Sequence, residues 1–262
     1  MKTITFLTDF GMKSGYVSQM KGAASSISDA RLIDITHDIT PHNILEGAFV
    51  LRTATPYFPV GTVHVAVVDP GVGTDRKGLL ITTESQILIG PDNGLLIPAA
   101  RFLGNFVVYE IINEKYMLET VSNTFHGRDI FTPVAAHVTN GVPFEEIGEQ
   151  INDFVDLDFG QGVINVKNGT GKIIYIDRFG NIVTNIDGGR IRKFLKYNTK
   201  IKVSIKNKSK EVSFVKSYAF VKKGRFLATI GSSNLLEIGV NQGNAAKKLN
   251  VKTGDKVKIS LN

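Results

Sequence analysis

The 262-residue sequence predicts an α/β layer with a mostly parallel sheet, followed by a small antiparallel β-barrel. Three observations carry this. Over residues 1–150, apolar β-type runs alternate with helical patterns, as in sheets covered on both faces. Beyond residue 160 the rhythm changes to short strands separated by tight turns. Between the two lies DFGQGVINVKNGTGK (158–172), rich in Gly and Asn and read as a linker. The expected domains are therefore residues 1–160 and 161–262.

In the first domain, strands are expected at TITFLT (3–8), RLIDIT (31–36), TVHVAVVD (62–69), LLITTE (79–84), QILIG (86–90) and FVVYEI (106–111). Helices are expected at YVSQMKGAASSI (16–27), after Ser-Gly, and at ILEGAFVLRTATPYF (44–58), after Pro41 and Asn43. A third, DIFTPVAAHVTNG (129–141), ends in Asn-Gly, as a helix C-terminus should, with Asp129 as its N-cap. In the second domain only strands are expected: KIIYIDRF, NIVTNI, KIKVSI, KEVSFV, RFLATI, LLEIGV and KVKISL.

The formal charge of +7 is unevenly spread. Residues 1–150 carry 10 Lys and Arg against 16 Asp and Glu, and residues 151–262 carry 21 against 8. Much of the basic excess lies in KYNTKIKVSIKNKSK (196–210), where Lys alternates with Val and Ile as on the wet face of a hairpin. Without an RNA-binding aromatic signature, no nucleic-acid partner is expected. The absence of cysteine excludes disulfides, thiolate nucleophiles and Cys-based metal sites. No apolar stretch approaches the roughly 18–20 residues that span a bilayer, and MKTITFLTDF turns polar at Thr8, so a cytoplasmic protein is expected.

In open α/β sheets, ligands bind outside the carboxyl ends of the strands, and several polar stretches fall there. Asp9 in LTDFG suits a ribose diol, which a carboxylate holds with two hydrogen bonds, but equally an Asx-turn. VVDPGVGTDRKG (67–78) lacks the features of a phosphate loop, and its Asp69 and Arg76 either form a plain loop ion pair or serve a site. Pro-Asp-Asn-Gly (91–94) reads as turn chemistry. HDITPH (37–42) has loose metal-like spacing with no third ligand nearby, and reads as local turn bonding. In TFHGRD, capping calls for Asp129 but gives no reason for His126. In the second domain, YIDRFGNIVTNI (175–186) and IGSSNLLEIGVNQGNAA (230–246) place an Asp, a Ser pair, Phe and Asn at strand ends. Such groups could hold an amino acid and a base, though strand ends often look like this.

Taken in order, TDFG, DITHDITPHNILEGAFVL, FPVGTVHVAVVDPGVGT, GPDNGLL, TFHGRDIFTPVAAH, DRFGNIVTNI and SSNLLEIGVNQGNAA resemble the motifs of the S-adenosylmethionine hydroxide adenosyltransferases, relatives of the fluorinase and chlorinase enzymes. The resemblance runs from residue 3 to about residue 246. It implies hydrolysis of S-adenosylmethionine to adenosine and L-methionine, without metal or other cofactor. It also implies a homotrimer whose ligand lies between one subunit's N-terminal domain and the next subunit's C-terminal domain. Asp69, Arg76 and His126 would be the catalytic set. Asp9 would hold the ribose hydroxyls, with Thr124 and Phe125 lining the adenosyl pocket. Asp177 would meet the methionine amino group, and Ser232 and Ser233 its carboxylate. Asn181 and Asn241 would lie at the adenine edge, with Phe179 and Tyr218 against its ring.

At His126-Gly127 the fluorinase carries Tyr and a halide-binding Ser, so this pair marks the hydrolase version. One departure is Ser233, where a relative has Arg. The alternatives are a halide-dependent adenosyl transferase and a non-catalytic binding protein, which would share every adenosyl contact.

Overall fold

The computed structural model describes residues 2–261, and these divide into two compact units between Asp158 and Phe159. All of the expected linker (158–172) but Asp158 belongs to the second unit, where Val163–Ile164 pairs back on Asn168–Ile176 instead of forming an open tether.

The first unit contains β1 (Thr3–Thr8), α1 (Tyr16–Ser25), β2 (Arg31–Thr36), α2 (Ile44–Ala54), β3 (Val63–Val67), β4 (Gly78–Thr83), β5 (Ile87–Pro91), α3 (Ile97–Phe102), β6 (Phe106–Ile111), α4 (Thr132–Thr139), α5 (Phe144–Ile147) and β7 (Gly148–Ile151). Among the described residues, its seven strands form one sheet in the order β2-β1-β3-β5-β4-β6-β7. The pairings β1–β2, β1–β3 and β3–β5 are parallel, and β4, β6 and β7 join antiparallel, so five of the seven strands run one way. Strands β1 and β3 are buried along their whole length, which explains their near-continuous apolar sequences. Met20 and Ala24 of α1, and Val134 and Ala135 of α4, pack with Phe6 and Val65 of the sheet.

Burying Thr5 and His64 in adjacent strands requires partners, and the chain supplies them locally. Thr5 Oγ1 lies 2.6 Å from His64 Nδ1, His64 Nε2 lies 3.0 Å from Gln86 Oε1, and Gln86 Nε2 donates to the Thr55 and Phe58 carbonyls. Gln86 can only accept through Oε1, so His64 is the neutral Nε2–H tautomer, and burial depresses its pKa to about 4.

Helix α2 is capped reciprocally: Asn43 Oδ1 accepts from the Glu46 N–H and Asn43 Nδ2 donates to Glu46 Oε2. Such a cap contributes about 1 kcal/mol. Helix α4 ends as expected, with Gly141 at φ 93°. Its beginning differs from the sequence expectation. The chain enters α4 through a wide turn, Gly127–Phe131, in which the Thr132 N–H donates to the Gly127 carbonyl five residues back. Asp129 lies inside that turn and caps nothing. Its carboxylate is fully buried and accepts from the Ser122 N–H and hydroxyl and from Arg128.

The second unit contains β8 (Val163–Ile164), β9 (Asn168–Ile176), β10 (Ile182–Asp187), α6 (Gly188–Phe194), β11 (Thr199–Ile205), β12 (Lys208–Phe214), β13 (Phe226–Ile230), β14 (Leu235–Val240), α7 (Ala245–Leu249) and β15 (Lys256–Leu261). The order is β10-β14-β13-β12-β11-β15-β9-β8, and β9 also pairs with β10. Among the described residues, strands β9 to β15 therefore close into a seven-stranded barrel that leaves no free edge on that ring. Only β12–β13 is parallel. Along β11, Ile201, Val203 and Ile205 face the core while Lys200 and Lys202 are exposed, as the alternation predicts. Two helices, α6 and α7, interrupt what the sequence presented as strands only. Each is started by a side-chain cap, from Asp187 and Asn244.

Candidate active site

Strands β1, β3 and β5 run parallel and release the chain on one edge of the sheet, at Asp9, Asp69 and Asp92 respectively. The β3–β4 loop carries Asp69 and Arg76 over that edge, because β5 lies between its two strands. Pro-Asp-Asn-Gly holds the loop in place: Asn93 Nδ2 donates to the Val68 carbonyl at 2.8 Å, and the Asp92 N–H to the Lys77 carbonyl at 2.9 Å.

Asp69 and Arg76 are not a surface pair, since their side chains are 5% and 11% exposed. Arg76 Nε lies 3.1 Å from each Asp69 oxygen, and a terminal nitrogen donates to Oδ2 at 2.6 Å. That same nitrogen lies 2.8 Å from His126 Nδ1. A guanidinium only donates, so Nδ1 accepts and the imidazole carries its proton on Nε2. Burial lowers the His126 pKa, and the Arg76 charge lowers it further, against opposing effects of Asp69 and Asp129. The result is a neutral ring whose remaining polar group is an N–H donor.

Two devices bring His126 to this position from a segment distant in sequence. Gly73, at φ 78°, lies so close to residue 123 that a Cβ there would sit 2.3 Å from the Asn123 carbonyl oxygen. Glycine therefore lets the Asp69 loop pack directly on the backbone leading to His126. On the other side, Arg128 bonds Asp129, donates to Gln19 Oε1 at 2.8 Å and lies 5.0 Å over the Phe125 ring. Phe125 is itself buried edge-to-face against Phe10 and Tyr16. Thr124 beside it is exposed. Asp9 is half-buried, with Oδ2 accepting the His42 N–H at 2.8 Å.

In the barrel unit, the β9–β10 turn is organised by Asp177, which accepts from the Phe179 and Asn181 N–H groups and from Asn181 Nδ2. This leaves Phe179 75% exposed and Asn181 buried. Asn241 Nδ2 donates to the Val221 carbonyl at 2.7 Å. Both amides thus turn an N–H inward and keep a carbonyl oxygen available as acceptor. Ser232 and Ser233 occupy the β13–β14 turn, Ser232 exposed and Ser233 partly so. Tyr218 lies across β14 at Gly239, where a Cβ would come 2.9 Å from its ring and 2.9 Å from Asn181 Oδ1.

The pattern of the SAM hydroxide adenosyltransferase N-terminal domain matches residues 4–148, and that of the C-terminal domain matches residues 171–258. The chain belongs to the SAM hydroxide adenosyltransferase family. Among its curated relatives, an "(R)-S-adenosyl-L-methionine hydrolase" from Methanocaldococcus jannaschii is 42% identical, over 98% of this chain and 95% of the relative. A fluorinase from Nocardia brasiliensis is more distant, 25% identical over 98% and 96% of the two chains. A crystal structure of an uncharacterized conserved protein from Thermotoga maritima superposes with a TM-score of 0.93, at 37% identity over 98% and 99% of the chains.

In this hydroxide adenosyltransferase chain, one residue at the barrel cluster escaped the sequence reading. Glu237 is 8% exposed and accepts the Tyr218 hydroxyl proton. Burial raises its pKa and the charge of nearby Asp177 adds to that, while Tyr218's hydrogen bond acts against it. Within LLEIGV nothing marks it out, and the fold brings the Tyr218 hydroxyl and the Gly231 backbone against its carboxylate.

Proposed function

We propose that the chain hydrolyses S-adenosylmethionine to adenosine and L-methionine by attack of water at C5′. The observation that carries this reading is the Asp69–Arg76–His126 chain at the sheet edge, followed directly by Gly127. The names of the hydrolase relatives support it. In the reaction the O–C5′ bond forms, the C5′–S bond breaks, its electron pair neutralises the sulfonium and one proton is released. The leaving thioether is neutral, so departure needs neither an acid nor a metal, and no metal or cofactor is included in the proposal.

The difficulty lies with the nucleophile. Free water is a weak one, and holding a single water in line with C5′ supplies about 7 kcal/mol or more. His126 Nε2–H and Arg76 are donors, suited to orienting the water and to the hydroxide-like charge it gains as a proton is drawn off. Accepting the departing proton is then left to Asp69, whose contacts to Arg76 leave a lone pair in hand. Asp9 holds the ribose diol, and Thr124 and Phe125 border the adenosyl group. Asn181 and Asn241 offer carbonyl oxygens to the adenine amine, and Phe179 and Tyr218 pack on its ring. Asp177 receives the methionine ammonium, and Ser232 and Ser233 its carboxylate. Because these groups belong to two units, we further propose a cytoplasmic homotrimer in which neighbouring subunits share each substrate, checked by light scattering with and without adenosine.

The decisive experiment is to incubate the protein with each sulfur epimer of S-adenosylmethionine, with and without chloride, and to resolve the products by chromatography. Adenosine plus methionine, formed from the (R) epimer, is expected. A product of 5′-chloro-5′-deoxyadenosine would replace the reading with halide transfer, and unchanged substrate with binding alone.

A further inference from the structure

The HDITPH stretch, which no step above uses, wraps around the turn that carries Asp9. The Gly11 N–H donates to the His37 carbonyl at 2.8 Å, the Ile39 N–H to the Thr8 carbonyl at 3.4 Å, and the His42 N–H to Asp9 Oδ2 at 2.8 Å. His42 makes that last bond from a left-handed backbone, φ 65°. Residues 37–42 thus form a strap, and His37 is its anchor. The His37 side chain is 2% exposed, and its Nδ1 lies 2.8 Å from Thr8 Oγ1. Thr8 Oγ1 also accepts the Phe10 N–H at 3.2 Å, so one hydroxyl serves both contacts. The hydroxyl is thereby fixed between the residues on either side of Asp9.

The far side of the imidazole is also engaged. His37 Nε2 lies 3.1 Å from Asp34 Oδ1, and Asp34 Oδ2 lies 2.7 Å from Lys21 Nζ. The Nε2 contact has ion-pair distance without hydrogen-bond alignment, and among the described residues Nε2 is a buried polar atom lacking a hydrogen-bond partner. A buried imidazole left imperfectly satisfied costs stability, and apolar side chains of similar size would avoid that cost. The β1–β2 ladder also slips between Phe6 and Leu7, just before Thr8.

We propose that His37 is a positioning residue for substrate recognition: through Thr8 and the 37–42 strap it holds the Asp9 carboxylate in the orientation that grips a ribose 2′,3′-diol. This rests on the assignment of Asp9 to the ribose, and predicts that His37 governs discrimination at the 2′-hydroxyl although it touches no substrate atom.

The test compares binding of adenosine and 2′-deoxyadenosine by calorimetry, a measurement independent of turnover, in the wild type, H37L, H37N and T8V. The wild type should prefer adenosine by about tenfold or more, the worth of one good hydrogen bond to a charged group. H37L should lose most of that ratio, and H37N, whose amide reaches the Nδ1 position, should keep it. T8V gives the same comparison should H37L fail to fold, and is expected to behave like H37L. A merely structural role would weaken both nucleosides alike and leave the ratio unchanged, which would overturn the proposal while hydrolysis stands. A wild type that hydrolyses S-adenosylmethionine but ignores the 2′-hydroxyl would overturn the Asp9 assignment and this proposal together.

Discussion

The two units present polar groups in different ways. In the α/β unit the key side chains lie on loops at one sheet edge and are tied to each other: Asp69 to Arg76, Arg76 to His126. In the barrel unit the corresponding groups are tied to their own turns, as Asp177 is to the Phe179 and Asn181 N–H groups, and they offer what is left over. The first arrangement fixes charge and tautomer before any substrate arrives, which suits chemistry on a developing charge. The second fixes shape and leaves acceptors and an exposed ring, which suits recognition. Substitutions in the Asp69–Arg76–His126 chain should therefore act on kcat, and those in the barrel unit on KM.

The hardest test of that division is His126→Ala. It should lower kcat by about a thousandfold or more while changing the binding of adenosine little, as seen by steady-state kinetics and calorimetry. Wild-type turnover in this variant would remove the triad from the mechanism. Gly73→Ala comes next, because its Cβ would meet the Asn123 carbonyl oxygen at 2.3 Å from a left-handed backbone. It should cost about 2 kcal/mol or more of stability and most of the activity, through displaced His126. Urea titration alongside kinetics separates the two effects.

A third prediction concerns the sheet itself. With its pKa depressed to about 4, His64 stays neutral in the fold, whereas in the unfolded chain it takes up a proton near pH 6.5. The stability is thus full above pH 6.5 and is lost as pH falls towards 4, by up to about 3 kcal/mol. His64→Gln should flatten that slope in urea midpoints measured between pH 7 and 4.5. Glu237→Gln probes the barrel side: by loosening Tyr218 it should raise KM about tenfold and leave kcat within a few-fold. A fall in kcat alone would contradict the division of labour between the units. The smallest effect is expected for Gly127→Ala, whose Cβ would meet only Phe125 and the Met20 thioether at 3.5–3.6 Å, ordinary contact. Equal damage from Gly127→Ala and Gly73→Ala would mean that the close approach at Asn123 is not what seats His126.

Strands β1, β2 and β6 were legible residue for residue, because each is a short run rich in β-branched or aromatic side chains bounded by polar residues. Helix α6 was hidden by its opening Gly-Gly, which disfavours a helix until Asp187 caps it. Asp129 was misread for a related reason: a carboxylate ahead of an apolar helix looks like a cap, and only the fold shows Ser122 and Arg128 claiming it. Asp69, Arg76 and His126 each stood out, but their union came from the family motifs, since nothing local to residue 126 points fifty positions back. Glu237 gave no signal, and His37 only the loose spacing of HDITPH, because the partners each meets, Tyr218 and Thr8, are brought in by the chain's path.

The wide turn at Gly127–Phe131 has a consequence for how such a site diversifies. Thr132 reaches back five residues where a regular helix reaches four, so the turn stores one residue more than α4 requires. Removing or adding a single position there would rotate the chain ahead of it by roughly a quarter-turn or more about the helix axis, while α4 and its core contacts stay in place. The segment that delivers the imidazole can thus be re-indexed like a dial against a fixed bearing, and a change of nucleophile need not wait on a change of fold.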